Sequence, residues 1–234
     1  MIEIHPIPGI PEVAEDDDVA GLIHGAMENA GLDLRPGDVV VVTHKIVSKA
    51  EGAVVALEGD DEDAAYRSLV EAEAAEVVRR RGDLAITITR HGFVCANAGA
   101  DRSNTAPGTA VLLPRRPDRS AHSIRRGLEA RTGVDVAVVV TDTFGRAWRR
   151  GLVDVAIGVS GIDPVLDLRG TTDQQGRVLD VTEVAVVDEI AAAADLAMGK
   201  ASGIPAAVVR GLDLPRGEGR IADLVRPPGE DLFR

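Results

Sequence analysis

The chain has 234 residues, a formal net charge of -12 and a single cysteine, Cys95. That length supports a substantial core, built as one large domain or as two tightly joined lobes, and the negative balance argues against nucleic acid or an anionic membrane as the main partner. One cysteine excludes an intramolecular disulfide framework and a multi-cysteine zinc cluster within one chain. No stretch approaches the roughly 20 apolar residues of a membrane span, nor does a basic segment followed by an apolar run open the chain, so a cytoplasmic protein is expected.

In chain order, Ile2 to His5 alternates like a short strand, and Pro6-Ile-Pro-Gly9-Ile-Pro11 is a stiff loop. Val19 to Ala30 has helical spacing with Gly31 as its stop, and the turn Arg35-Pro-Gly-Asp38 leads into the buried-type strand Val39 to Thr43. Asp60 to Arg81, rich in alanine and glutamate, is the longest helical candidate, followed by an alternating strand over Ala85 to Thr89. Cys95 lies in the apolar run Phe93 to Ala96, which points to an inert buried thiol rather than a nucleophile. Ala121 to Arg131 is helical, Val134 to Thr141 is a strand, and Asp154 to Val159 is another. Thr171 to Arg177 is a turn or loop, Val181 to Met198 has the spacing of a helix packed on a sheet, and Ala206 to Arg210 is a strand. Beyond Gly217 the charged tail is expected to be a short helix and a loose end. The irregular mixture points to an α/β or α+β fold with mixed sheets.

Two loops carry the chemistry. Thr141-Asp142-Thr143-Phe-Gly-Arg146-Ala-Trp-Arg149-Arg150 sets a carboxylate and three arginines at the end of an apolar strand. Asp142 suits a divalent cation, and Arg146, Arg149 and Arg150 are candidates for phosphate or carboxylate binding. Asp101, in Gly99-Ala-Asp-Arg-Ser-Asn104, is a second carboxylate at a loop beginning. Oxygen ligands from separate loops are the usual way to hold magnesium or manganese while leaving positions open for phosphate and water. There is no Gly-Lys-Ser/Thr phosphate loop, no dinucleotide fingerprint and no His-Glu-x-x-His. His5, His44 and His91 are expected at the surface or hydrogen-bonded, and Phe144 and Trp148 in a core or interface.

Taken in order, Gly9-Ile-Pro11, His44-Lys45-Ile-Val-Ser48-Lys49-Ala-Glu-Gly52, Ala96 to Asn104, Thr141 to Arg146 with Arg149-Arg150-Gly151, Ala156-Ile-Gly-Val-Ser-Gly161, Asp188 to Ala192, and Gly203-Ile-Pro205 with Val208 to Gly211 resemble the coenzyme F420-0:γ-glutamyl ligase family over nearly the whole chain, in its stand-alone form without a fused nitroreductase-like domain. The resemblance implies a mixed α/β homodimer that uses GTP and two divalent cations, with potassium assisting in some relatives, to join L-glutamate to coenzyme F420-0 or its dehydro form through an acyl phosphate, and then further glutamates through γ-linkages. It implies that Asp101 and Asp142 ligate the first metal and Thr143 the second. Lys49, Asn104 and the His44-Lys45 pair would contact GTP, bordered by Ile10, Pro11, Glu12 and Val13 and by Met198, Gly199, Lys200, Ala201, Ser202, Gly203 and Ile204.

The family pattern places an acidic second-metal ligand after Met198-Gly199, where this chain has Lys200. A protonated ammonium has no acceptor. Glu183, Asp188 or a backbone carbonyl would then complete that site, or the lysine would set its own charge near the phosphates. Two other classes fit the same residues: a metal-dependent phosphohydrolase acting on a nucleotide or sugar phosphate, and a non-catalytic deazaflavin- or nucleotide-binding module.

Overall fold

The computed structural model describes residues 1–214 and 216–233. Its strands, in chain order, are β1 (Glu3–Pro6), β2 (Val39–Thr43), β3 (Val54–Ala56), β4 (Ala74–Arg81), β5 (Leu84–Thr89), β6 (Val94–Ala96), β7 (Thr109–Val111), β8 (Ala137–Arg146), β9 (Arg149–Ile162), β10 (Leu166–Asp167), β11 (Glu183–Val184), β12 (Ala206–Arg210) and β13 (Arg216–Gly217). The helices are α1 (Val19–Ala30), α2 (His44–Ala50), α3 (Glu62–Glu73), α4 (Pro117–Thr132) and α5 (Val186–Met198). The architecture is mixed α/β.

A six-stranded sheet in the order β1-β12-β2-β8-β9-β13 forms the frame, with β2 and β8 parallel and every other neighbour antiparallel. Val39 to Val42 of β2 are at most 1% exposed, so both faces of the sheet are covered. α4, backed by α1, and α5 supply that cover. Gly158 permits the close approach of α4, since a Cβ there would lie 2.6 Å from the Pro117 carbonyl carbon. Across the sheet, Arg210 of β12 grips the buried carboxylate of Asp38 through Nε and Nη2, at 2.9 and 2.7 Å. A smaller core gathers Tyr66, Val70, Ala85, Ala100 and Ala110 beside the three-stranded sheet β4-β5-β6.

Three expectations change in the folded chain. The helix expected over Asp60 to Arg81 ends at Glu73, and Ala74 to Arg81 becomes β4, paired antiparallel with β5. Strand partners outweigh the helical propensity of alanine and glutamate once Val77 and Arg79 can face Thr87 and Ile86. The helix expected from Val181 starts at Val186, because Glu183 and Val184 pair with β10 and the Asp188 side chain anchors the first turn to the Ala156 amide at 2.9 Å. The tail holds 3-10 turns at Ile221–Leu224 and Pro228–Glu230 in place of a regular helix. Among the described residues no helix is long and apolar enough to cross a membrane.

Candidate active site

The Asp142 segment is strand rather than loop. β8 runs on to Arg146 and returns as β9, pairing Asp142 with Val155 and Thr143 with Asp154. The register shifts between Val140 and Thr141, where Gly158 and then Ala156 are the partners, so Ile157 is an extra residue in β9. A bulge at this point re-aims the side chains that follow it. Thr141 and Thr143 then share one face of β8 with Asp154, while Asp142 takes the other.

A cleft of about 350 Å³ opens where the parallel pair β2 and β8 reaches its carboxyl ends. Four stretches line it: Ile10 to Val13; Thr43 with His44, Lys45, Ile46 and Lys49 of α2; Thr141 to Thr143 with Asp154; and Asp195 with Gly199 to Ala201 and Gly203 to Pro205. Asn104 completes the lining. A larger groove of about 660 Å³, bordered by Arg115, Arg116 and Arg119, lies against the opposite face of α2 and contains none of the residues singled out from sequence.

His44 lies beneath Asp142. Its ring is 2% exposed, with Nε2 3.3 Å from Asp142 Oδ1 and Nδ1 3.3 Å from Ser48 Oγ. Of the two expected states, surface or hydrogen-bonded, it takes the second, buried at the floor of the cleft. Lys45 reaches back from α2 to Asp101 Oδ2 at 2.8 Å and Ser103 Oγ at 2.7 Å. The Ser103 amide and hydroxyl also donate to Asp101, at 2.6 and 3.0 Å. Burial pushes the Asp101 carboxyl up, yet the Lys45 ammonium and the Ser103 amide more than offset it and hold the group below the usual carboxylate range. Asp101 thus stands at the rim, joined to the cleft through Lys45. At the mouth, Lys49 pairs with Glu12.

The other end of the cleft holds two carboxylates that the sequence did not single out. Asp154, 3% exposed, accepts from Thr141 Oγ1 at 3.0 Å and Thr143 Oγ1 at 2.6 Å. The Asp195 carboxyl is raised, chiefly by burial and then by the Asp154 charge, with Lys200 acting in the opposite direction. The available signal was an aspartate inside the apolar run Val153 to Val159. Lys200 Nζ donates to Thr143 Oγ1 at 2.7 Å.

Several predicted residues fall elsewhere. Met198 is 2% exposed inside the main core, and Ser202 folds back to donate to the Met198 and Gly199 carbonyls, so both shape the loop rather than face the cleft. Arg146, Arg149 and Arg150 sit exposed at the tip of the β8–β9 hairpin, outside the cleft lining, with Arg146 Nη2 donating to the Arg150 carbonyl at 2.6 Å. The hairpin carries them away because the strand continues where a loop was expected. Trp148 is 86% exposed at the same tip, which excludes the core alternative of the core or interface position expected of it, whereas Phe144 packs edge-on to Phe93. Glu183 pairs with Arg169 at 3.2 Å, and Asp188 anchors β9; neither lines the cleft. Cys95 is buried, its thiol pushed up to about 12 by burial and then by the Asp142 charge, which leaves it protonated and inert.

Residues 9–211 match the family described as F420-0:Gamma-glutamyl ligase. The chain belongs to this family. Relatives of the γ-glutamyl ligase family align from end to end. The Methanothermobacter thermautotrophicus protein named "Coenzyme F420:L-glutamate ligase" is 45% identical over 100% of this chain and 99% of its own length. The Methanopyrus kandleri and Archaeoglobus fulgidus proteins of the same name are 43% and 39% identical over 100% of this chain and 98% and 96% of theirs.

The cleft suits hard-cation chemistry at one end. Among the described residues no three His, Cys, Asp or Glu side chains converge as a closed metal cage. Asp142 accepts from the Thr143 amide at 2.7 Å through Oδ1 and offers a carboxylate to the cleft, with the buried His44 Nε2 nearby and without a hydrogen-bond partner among the described residues, whereas Asp101 stands at the rim with its oxygens on Ser103 and Lys45. The chemistry of these carboxylate oxygens suits a hard divalent cation such as magnesium or manganese. At Thr143 the fit is poorer, because the neutral hydroxyl oxygen already accepts from the Lys200 ammonium and brings no negative charge of its own.

Proposed function

We propose that this chain forms an amide between the α-amine of L-glutamate and the terminal carboxylate of coenzyme F420-0 or its dehydro form, consuming GTP. The reading rests on one observation above all. A single cleft gathers Ile10 to Val13, the α2 lysines, Asn104, Asp142 and the Gly199 to Ile204 loop, segments scattered over nearly the whole chain. Family membership supplies the acceptor and the amine, since the relatives carry both in their printed names.

A carboxylate does not condense with an amine at neutral pH, so the acceptor is first activated. Its carboxylate oxygen attacks the γ-phosphorus of GTP, the bond to the bridging oxygen breaks, and GDP leaves from an acyl phosphate. The glutamate nitrogen then attacks the acyl carbon, the carbon–oxygen bond to phosphate breaks, and inorganic phosphate departs as the amine proton passes to solvent. Phosphoryl transfer needs positioning and neutral charge more than covalent help from the protein. Lys45, Lys49 and Lys200 line the cleft and would neutralise triphosphate oxygens there, and the buried His44 packs beside Asp142. Asp101 and Asp142 would hold a divalent cation, which would supply Lewis-acid neutralisation of the phosphate oxygens. No enzyme nucleophile is required, in keeping with the inert Cys95. The proposal extends to a homodimer, to potassium as an accessory ion, and to γ-linked addition of later glutamates.

Incubation with GTP, magnesium or manganese, L-glutamate and coenzyme F420-0, followed by mass spectrometry, tests it. The expected products are GDP and an acceptor heavier by one glutamyl residue. Asp142→Ala is expected to lose turnover while keeping its circular dichroism spectrum. Phosphate release that needs neither glutamate nor acceptor would replace this reading with a phosphohydrolase, and tight nucleotide binding without turnover would replace it with a binding module.

A further inference from the structure

Lys200 differs from the other lysines of the cleft. Lys45 faces Asp101 and Lys49 faces Glu12, whereas among the described residues Lys200 has no carboxylate partner within ion-pair distance. Its ammonium rests instead on Thr143 Oγ1 at 2.7 Å. Thr143 has aimed its own proton at Asp154 Oδ1, 2.6 Å away, so Lys200 occupies one of the two lone pairs through which a metal ion would bind and sets a positive charge beside the other. Asp154 is itself fixed, because its second oxygen accepts from the buried Thr141 hydroxyl at 3.0 Å. Asp195 lines the same end, which leaves two carboxylates around one ammonium.

We propose that Lys200 is a resident cation of the phosphate site. Its ammonium takes the place of a second divalent ion at Thr143, so each site works with one divalent cation, at Asp101 and Asp142. An ammonium has three donors. With one committed to Thr143, two are left for phosphate oxygens. A divalent ion at the same oxygen would have to displace the ammonium against like-charge repulsion in a partly desolvated cleft. The flexible four-carbon stem of lysine lets the charge move with the phosphoryl group, a freedom that a caged ion lacks.

The inference rests on the nucleotide and cation reading above, and its test separates the two. Mn2+ binding is counted by electron paramagnetic resonance on the full chain with a non-hydrolysable GTP analogue. Wild type is expected to bind one ion per chain, and Lys200→Glu two. Lys200→Met should keep one ion and weaken the analogue by about tenfold or more, the loss expected for a charged hydrogen bond. Two ions in the wild type, or a Lys200→Met protein that holds the analogue as tightly as wild type, overturns the resident-cation role and leaves the ligase reading intact. No bound Mn2+ in any of the three proteins removes the cation site at Asp101 and Asp142, and this inference with it.

Discussion

Replacing Asp154 tests the half of the cleft that only the fold exposed. The carboxylate is 3% exposed and accepts from Thr141 Oγ1 and Thr143 Oγ1. In Asp154→Ala the Thr141 hydroxyl, 0% exposed, has no other hydrogen-bond acceptor among the described residues and loses a bond to a charged group, worth about 1.5–3 kcal/mol. The half-buried Thr143 can turn to water, so its loss is about 1 kcal/mol. The net cost is about 2.5–4 kcal/mol, a fall in Tm of roughly 5–16 °C for a chain of this size. Asp154→Asn keeps a carbonyl acceptor and should cost less than half as much. Urea denaturation followed by circular dichroism measures both variants. Because Thr143 loses its anchor, glutamyl transfer should fall in Asp154→Ala even at temperatures where it is folded. A stability within about 0.5 kcal/mol of wild type, the usual range for a neutral surface change, would refute the anchoring role.

Two further outcomes follow from the same structure. Arg210→Ala strands the Asp38 carboxylate, itself 1% exposed, and should destabilise the chain by about 3 kcal/mol in urea titration, whereas Asp38→Asn with Arg210→Met should recover much of the loss. Cys95 should resist a thiol reagent at pH 8 until the chain is unfolded, and rapid stoichiometric labelling of the native protein would contradict its burial. The linkage has a definite sign. The thiol is raised from 9.0 to about 12 on folding, so the native state keeps a proton that the unfolded chain releases. Its contribution is complete below pH 9 and is lost as the pH rises toward 12, by up to about 1.4 kcal/mol per unit.

The γ-glutamyl ligase family was legible from local words such as His44-Lys45-Ile-Val-Ser48-Lys49 and Thr141-Asp-Thr-Phe-Gly-Arg146, because backbone-constrained loops and strand ends tolerate few residue types. The β2 strand and the α1 helix with its Gly31 stop were equally legible, since burial on both faces demands an unbroken valine run and a left-handed cap favours glycine. Tertiary structure alone decided the rest. Ala74 to Arg81 became a strand because β5 offered it a partner, and Arg146, Arg149 and Arg150 left the cleft because β8 and β9 pair to their tip. Asp154 and Asp195 entered it through a one-residue bulge and a helix end that no local pattern announces. Lys200 met Thr143 across 57 positions of chain, a contact fixed by long-range packing of α5 against the sheet. Short-range chemistry is written in neighbouring residues, whereas the charge balance of a cleft depends on which distant residues the sheet brings together.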